Sequence, residues 1–226
     1  MDNFDLNEAP AIAPAQRSEG WHSQRCGILT ASRIKDVLAV SKRDGKPLQA
    51  RADYLMEKVC EILTGKPVSK FQNEAMLWGV EQEPIALEAY QRRTGRVVTA
   101  AGLCMHPSLG YIGASPDGLM TDRGIEIKCP VNSAVHIKTI LDGMPDEHMA
   151  QIQCGMWICD MPEWDFVSFD SRMPDHAALY IQTIQRDDAF IANMAAECGR
   201  FWEDVCEMVA RVADKTRETN NGRLAA

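Results

Sequence analysis

The 226-residue sequence predicts a mixed α/β (α+β) fold. Helical apolar spacing dominates up to residue 93, and short β-like segments separated by Gly, Pro, Asp and Ser follow between residues 97 and 129. A helix, two strands and a terminal helix are then predicted to close the chain. Runs of helices combined with one group of strands are typical of an α/β or α+β domain.

The N-terminal third is predicted to be largely helical. Residues 1–20 are rich in Ala, Pro and acidic side chains, so we expect a flexible lead-in. Residues 30–32 can cap a short helix over residues 34–38, and a basic loop follows at residues 41–47.

Two longer helices are predicted next. The first covers residues 52–63, with Leu55, Val59 and Ile62 forming its apolar stripe and Gly65 ending it. The second covers residues 73–93 and is expected to be interrupted or kinked at Pro84, because proline removes a helical hydrogen bond.

The remainder of the chain alternates between the two periods. Strand-like segments are predicted at 97–105, 111–114, 124–129, 164–168 and 178–185. Helices are predicted at 145–158 and 187–215, the first with an apolar stripe of Met149, Ile152 and Met156. A frayed tail is expected over residues 217–226.

Composition excludes several classes of protein. Apolar residues make up 46% and charged residues 25%, which indicates a globular chain rather than a disordered one. No apolar run approaches the roughly 20 residues of a membrane-spanning helix, and the acidic N-terminus does not resemble a secretory signal. The eight cysteines form no C-x-x-C pair, so we expect reduced core thiols in a cytoplasmic protein rather than a zinc or iron–sulfur site.

Charge is distributed unevenly along the chain. The net charge is −8, yet residues 17–51 hold eight basic side chains against three acidic ones, and residues 142–188 hold ten acidic side chains against two basic ones. The basic segment could face phosphates while the acidic region lies elsewhere, and uneven solvated loops are the alternative.

The sequence Asp117-x8-Glu126-Ile127-Lys128 is the strongest chemical signal. A hairpin here brings two carboxylates and one ammonium together at a sheet edge. Mg²⁺ favours such a site, since it needs few protein oxygen ligands and keeps waters or substrate phosphates, and the Ile127 carbonyl is a natural third ligand. Lys128 can hold or deprotonate the attacking water. The alternative is an ordinary hairpin with a turn aspartate and a surface Glu–Lys pair.

Other polar residues could complete this pocket. Glu83 on the preceding helix could add a carboxylate, while His148 and Gln151 share the polar face of the 145–158 helix. For each of them a plain solvent-facing position is the alternative. Arg25, with the hydroxyls of Thr30 and Ser32 at a helix N-terminus, suits a terminal phosphate, and the alternative there is a helix cap beside a surface arginine.

Five motifs in order carry a family resemblance. They are W-x3-R-x-G-x-L-T-A-S at residues 21–32, W-G-x3-E at 78–83, S-P-D-G at 115–118, E-I-K-C-P at 126–130 and M-A-Q-I-Q at 149–153. Together they resemble the phage lambda-type exonucleases, the YqaJ-like viral recombinases. The resemblance implies a restriction-endonuclease-like PD-(D/E)xK core, here a single domain over residues 21–216 with a central mixed β-sheet flanked by helices.

The resemblance also implies an activity and a set of roles. Family members digest one strand of double-stranded DNA from 5′ ends with Mg²⁺, for which Mn²⁺ is expected to substitute, and leave a 3′ single strand for recombination by strand annealing. The implied partners are duplex DNA ends, a single-strand annealing protein and two further copies in a homotrimeric ring, in the bacterial cytoplasm. The implied roles at the metal are ligation by Asp117, Glu126 and the Ile127 carbonyl, water orientation by Lys128, and an outer-shell position for Glu83. Gln151 is implied to lie near the scissile phosphate, and the implied 5′-phosphate binders are Arg25, Thr30, Ser32 and Ser115.

Two positions depart from the best-known pattern or have two interpretations. His148 stands where the best-known member has Tyr, so a DNA contact from this position is expected to be altered or pH-sensitive. Met76 falls where an apolar wedge could part the end bases, and a core position is its alternative.

The leading hypothesis is therefore a Mg²⁺-dependent, processive 5′→3′ exonuclease acting on DNA ends. Two alternatives stay open at this point: a structure- or sequence-specific endonuclease with the same core, and a non-catalytic clamp on DNA ends.

Overall fold

Seven helices and seven strands make up the regular structure in the described residues of the computed structural model, which are residues 16, 18–41, 43–68 and 73–224. The helices are α1 (Glu19–Gln24), α2 (Ile34–Val37), α3 (Gln49–Thr64), α4 (Glu74–Thr94), α5 (Ser133–Asp142), α6 (Met149–Cys159) and α7 (Asp188–Leu224). The strands are β1 (Leu29–Thr30), β2 (Cys104–Met105), β3 (Ile112–Ala114), β4 (Gly118–Leu119), β5 (Arg123–Lys128), β6 (Glu163–Phe169) and β7 (Leu179–Gln185). Two short 3₁₀ turns precede α2 and α6.

The strands form two mixed sheets. The smaller has the order β1-β3-β2, with β1 parallel to β3 and β2 antiparallel to it. The larger has the order β4-β5-β6-β7, with a parallel β5–β6 pair between two antiparallel pairs. The α/β prediction is thus confirmed, and Asp117 lies at the junction between the two sheets, directly before β4.

Helices cover both faces of the larger sheet. On one face α4 packs Ala86 and Tyr90 against Ile125, Ile127 and Val167. On the other face α6 packs Ile152 and Met156 against Trp164, Phe166 and Ile184. Gly155 allows α6 to approach this closely, because a Cβ there would come within 2.8 Å of the Trp164 ring. A third core joins α2, α3, α6 and α7 to β1 and β3.

The predicted helices are present, with corrected details. The helix over residues 52–63 is α3, which ends at Gly65 in the left-handed conformation as expected. Asn73 caps the N-terminus of α4 by accepting the Met76 N–H with its side chain, and the helix continues through Pro84. The predicted interruption is therefore wrong, because Pro84 lies on the exposed side of α4, where the carbonyl that it leaves unpaired can reach water.

Several elements differ from the sequence prediction. α5 and the short strand β1 were not predicted, and only Cys104–Met105 of the predicted 97–105 strand is extended in a sheet. α7 continues to Leu224, so the tail predicted to fray from residue 217 is helical as far as that residue. The other predicted lead-in and tail residues, 1–15, 17 and 225–226, lie outside the described residues, as does Lys42 of the basic segment.

The helices and the cysteines of the structure test two predictions made from composition. None of the helices in the described ranges combines the length and apolarity needed to cross a membrane. All eight cysteines are free, but only Cys154 and Cys198 are buried, whereas Cys60 and Cys206 are exposed. The expectation of core thiols thus holds for part of the set.

Candidate active site

The carboxyl end of β5 brings three of the predicted groups together. Glu126 is 4% exposed and accepts a hydrogen bond from Lys128 Nζ at 2.6 Å. Asp117 is half-buried, and its Oδ2 accepts the Ile127 N–H at 2.7 Å. The alternation of β5 directs Glu126 and Lys128 to the α6 face, and the turn before β4 directs Asp117 towards them.

Gln151 on α6 completes this cluster. Its Nε2 donates to Glu126 Oε1 at 2.6 Å, and its Oε1 lies 3.5 Å from Lys128 Nζ. The amide therefore contacts both members of the Glu126–Lys128 pair, and it does not lie on a purely solvent-facing surface.

Electrostatics in the cluster are dominated by unbalanced carboxylates. Burial raises the pKa of Asp117 well above its usual value, and the negative charges of Glu126 and Glu83 raise it further. Burial lowers the pKa of Lys128, but Glu126 and Asp117 outweigh it, so that the pKa is raised overall. One ammonium thus serves more than one carboxylate, and a bound cation would relieve the remaining repulsion.

The donor set fits a hard cation that needs few protein ligands. Asp117 and Glu126 are two oxygen donors beside the backbone of Ile127, and Mg²⁺ completes such a shell with water and phosphate oxygens. Within the described ranges, no group of three or more His, Cys, Asp or Glu side chains is placed to hold a metal ion. A closed, all-protein site of the structural zinc type therefore does not fit these residues.

The predicted anion binders form a second cluster next to the carboxylates. Arg25 donates to Ser115 Oγ at 2.8 Å and to Ser32 Oγ at 3.2 Å. The guanidinium lies over the Trp21 ring at 4.1 Å from its centroid, and Trp21 Nε1 also donates to Ser115 Oγ, at 3.1 Å. Burial lowers the pKa of Arg25, which is the cost of removing this cation from water. The cradle is thus an oriented fork with two hydroxyls.

Thr30 lines a groove together with Arg25 and Ser32. It is 4% exposed, and its backbone N–H donates to the Tyr54 hydroxyl at 3.1 Å. A phosphate contact from Thr30 stays a prediction.

Two adjoining cavities connect the clusters. A pocket of about 140 Å³ is lined by Asp117, Glu126 and Gln151 together with Arg25, Ser32 and Ser115. A larger groove of about 720 Å³ shares Trp21, Arg25 and Ser32 with the pocket and is also lined by Met76, Glu83, Ile127 and Lys128. The predicted metal and phosphate residues therefore border one continuous space.

Met76 and His148 occupy different environments. Met76 is 48% exposed in the groove wall, so its alternative interpretation as a core residue is wrong. His148 packs against Phe166 with 5.3 Å between the ring centroids. Burial lowers its pKa to about 4, with a further contribution from Lys128, so its imidazole is uncharged at neutral pH.

Sequence reasoning assigned no role to Trp21 or Gln16. Trp21 lies one helical turn before Arg25, and this i, i+4 spacing could have indicated the stacking. Gln16 Nε2 donates to the Pro116 carbonyl at 2.6 Å, next to Asp117, and no spacing in the sequence signals a contact across 100 residues.

Two solved exonucleases share the fold of this chain. The solved alkaline exonuclease from Laribacter hongkongensis is 38% identical, with a TM-score of 0.81, covering 89% of this chain and all of that one. A phage-related exonuclease from Haemophilus somnus 129PT, at 18% identity, shares the fold with a TM-score of 0.64 over 82% of this chain and 96% of that one.

Curated relatives match over parts of their length. The Bacillus subtilis protein YqaJ is 26% identical over 61% of this chain, and an uncharacterized protein of Acanthamoeba polyphaga mimivirus is 28% identical over 67%. These matches span 43% and 28% of the two relatives, so the chain covers less than half of either. The model of the YqaJ-like viral recombinase domain matches residues 20–162, and the chain belongs to this family.

Proposed function

We propose that the protein is a divalent-metal-dependent exonuclease that digests one strand of double-stranded DNA from its 5′ end and leaves a 3′ single strand for recombination by annealing. The observation that carries the proposal is the single 140 Å³ pocket lined by both the Asp117–Glu126 pair and the Arg25 cradle. Such a pocket suits a phosphodiester close to a terminal phosphate. The 38% identical neighbour is an alkaline exonuclease, and it has also been solved in complex with dAMP.

The carboxylate side of the pocket is assigned to the metal and the water. Asp117, Glu126 and the Ile127 carbonyl would hold Mg²⁺, with Mn²⁺ as a substitute. When bound, the metal supplies Lewis acidity to the scissile phosphate and lowers the pKa of a coordinated water. Lys128 orients the attacking water, and Gln151, held by Glu126 at 2.6 Å, lies where it can contact the scissile phosphate. Glu83 adds negative charge at the outer side of the metal site.

The arginine side of the pocket is assigned to the 5′-phosphate. The Arg25 fork already makes two hydrogen bonds to serine hydroxyls, and this fixes its plane for bidentate recognition of a phosphate. Ser32 and Ser115 offer hydroxyl donors, and Thr30 is included as a contact at the groove side.

The larger groove is assigned to the DNA end. Met76 projects from its wall and is proposed to wedge between the terminal bases. His148, beside Phe166 and near Lys128, is proposed to contact DNA as a neutral hydrogen-bonding group.

Assembly and location are proposed from the family resemblance. We infer a single nuclease domain over residues 21–216, a homotrimeric ring around DNA, a single-strand annealing partner and a cytoplasmic location. Light scattering after size exclusion tests the ring, because a 25.2 kDa species at micromolar concentration would exclude it.

The activity is tested by digesting linear duplex with 5′-phosphate ends, linear duplex with 5′-hydroxyl ends and closed circular DNA, with and without Mg²⁺. We expect rapid metal-dependent loss of the 5′-phosphorylated strand and no nicking of circles. Lys128→Ala is the control that should bind ends without digesting them. Nicked circles would indicate an endonuclease instead, and tight end binding without hydrolysis by the wild type would indicate a clamp.

A further inference from the structure

The inner face of α3 carries a buried carboxylate that belongs to neither pocket cluster. Glu61 is 5% exposed, and its Oε2 accepts the Gly27 N–H at 2.9 Å. Its Oε1 accepts the Val68 N–H at 3.2 Å. Lys58, 3% exposed and one helical turn earlier, donates to Oε2 at 2.5 Å. One side chain therefore joins α3 to two separate loops.

The first of these loops carries the arginine of the phosphate cradle. Gly27 is two residues after Arg25 and has a φ of +75°, a conformation in which side chains other than glycine are strained. Between them, Cys26 Sγ lies 3.8 Å from the Glu61 carbonyl oxygen. Hydrogen bonds from a backbone N–H to a buried carboxylate are among the stronger ones in proteins, so the backbone of this loop has a fixed reference point on α3.

The second segment held by Glu61 contains Val68 and directly follows α3. Val68 lies between the end of α3 and the start of α4, and α4 carries Met76 and Glu83. Pro67, Val68, Lys58 and Glu61 themselves line the groove beside Arg25. Glu61 therefore accepts hydrogen bonds from the segments before and after α3, the first of which carries Arg25.

A carboxylate beside a phosphate site repels the ligand, so the charge of Glu61 requires a structural explanation. Lys58 removes most of that repulsion, since the pair carries no net charge. Burying both groups costs free energy that two apolar side chains would not cost. The arrangement gains acceptors for two loop N–H groups, which apolar side chains cannot supply.

We propose that Glu61 is a positioning residue that sets the Arg25 loop, and hence the preference for 5′-phosphorylated ends, through its bonds to Gly27 and Val68. This inference rests on the proposed 5′-phosphate site. It assigns Glu61 no contact with substrate.

The test compares Glu61→Gln with a matched buried carboxylate elsewhere. Asp165 is 2% exposed, and its carboxylate likewise accepts three hydrogen bonds, here from the side chains of Tyr90, Arg123 and Thr183, but it contacts neither loop. For each variant the ratio of kcat/KM on 5′-phosphate over 5′-hydroxyl duplex is measured along with the melting temperature. We expect Glu61→Gln to lower the ratio about tenfold, mainly through KM for phosphorylated ends, since small misplacements of a binding group are costly. Asp165→Asn should lower the melting temperature and leave the ratio unchanged.

Two further variants keep the proposal falsifiable. Gly27→Ala strains the same loop at its positive φ and keeps the Glu61 side chain, although the new Cβ would lie 3.3 Å from Ile62 Cγ1 on α3. It should lower the same ratio, even if Glu61→Gln does not fold. Arg25→Ala tests the phosphate site itself. If Arg25→Ala abolishes the preference while Glu61→Gln and Gly27→Ala retain it, Glu61 is merely structural and the inference is wrong. If Arg25→Ala leaves the preference intact, the proposed phosphate site fails, and the role of Glu61 fails with it.

Discussion

Two buried carboxylates on neighbouring strands differ in how they are neutralised. Asp165 on β6 and Glu126 on β5 are 2% and 4% exposed, and they lie on opposite faces of the same sheet, because Asp165 pairs with Ile125 and Glu126 pairs with Phe166. Asp165 accepts bonds from Tyr90, Arg123 and Thr183 on three different elements.

Glu126 has a different environment. Its described partners, Lys128 and Gln151, both border open space, and the charge of Asp117 adds to its own. Burial of a charge alone therefore does not indicate function, since Asp165 is deeper and fully paired. A pair of like charges that opens into a pocket with one cation does indicate it.

Removing Lys128, the cation beside Asp117 and Glu126, should give the largest effect on activity. We expect Lys128→Ala to lower turnover by about 10²–10⁴-fold, the range typical of a lost general acid–base group. Some loss of melting temperature is expected as well, because Glu126 is buried and loses its cation, so the turnover of folded protein is the quantity that distinguishes this site. Single-turnover digestion and a thermal melt measure the two effects. Loss of stability at unchanged turnover would make this cluster equivalent to that of Asp165.

Removing Arg123, the cation beside Asp165, should instead lower stability and leave turnover unchanged. Arg123 is 13% exposed and contacts Asp165, Glu163 and Asp122. We expect Arg123→Ala to lower the free energy of unfolding by about 3 kcal/mol, because it leaves a buried carboxylate unpaired. Turnover per folded molecule should be unchanged. Urea unfolding and activity at a temperature where the variant is folded test this, and a turnover defect in fully folded protein would contradict it.

The sequence predicts the residues of the carboxylate cluster better than the buried residues behind Arg25. Asp117, Glu126 and Lys128 sit on one hairpin, so strand alternation alone predicts that they meet. The support of Arg25 lies on α3, where the predicted stripe placed Ile62 inside. Ile62 is instead 37% exposed, and the buried positions include Lys58 and Glu61. Apolar periodicity cannot identify a face that buries paired charges.

The same reasoning explains the helix that the sequence analysis missed. α5 buries His136 and Thr139, while Val135, Ile137 and Leu141 are exposed. His136 lies 2.7 Å from Ser168 Oγ and 2.8 Å from the Ala177 carbonyl oxygen, so a polar network holds this helix to the sheet. Its apolar residues therefore give no inward stripe to detect.

The uneven charge of residues 17–51 also has a structural explanation. Arg25 and Arg33 line the groove, but Arg51 is buried against α7, where it lies near Glu197 and Asp204. Lys46 lies near Asp44. The groove therefore takes only part of the basic segment, and Arg51 and Lys46 are paired with acidic side chains instead.

Substituting Asp117 should change the melting temperature in opposite directions without and with Mg²⁺. Its raised pKa means that the charged carboxylate destabilises the metal-free fold, and that stability falls as the pH rises through the raised pKa. Asp117→Asn should therefore melt higher than the wild type without metal at neutral pH. Saturating Mg²⁺ should reverse the order, because it stabilises only the wild type, by about 2.7 kcal/mol at a hundredfold excess over Kd. Equal responses of both proteins to Mg²⁺ would exclude Asp117 as a ligand.

The smallest effect is expected at His148, which directly precedes α6 and lies near Lys128. Burial lowers the pKa of His148 to about 4 from 6.5, so the neutral imidazole is the form that the fold favours. Its contribution is fully present above pH 6.5 and is lost as the pH falls towards 4. The side chain keeps 19% of its surface exposed, and water screens part of the effect, so we expect the loss to be on the order of 1 kcal/mol.

Urea unfolding of the wild type and of His148→Gln between pH 4 and above 6.5, without metal, isolates the contribution of the imidazole to stability. The two stability curves should run parallel above pH 6.5 and converge or cross below it. Parallel curves down to pH 4 would mean that the imidazole is protonated in the fold without cost. His148 would then be a solvated, charged neighbour of Lys128, and its proposed role as a neutral DNA contact would be excluded.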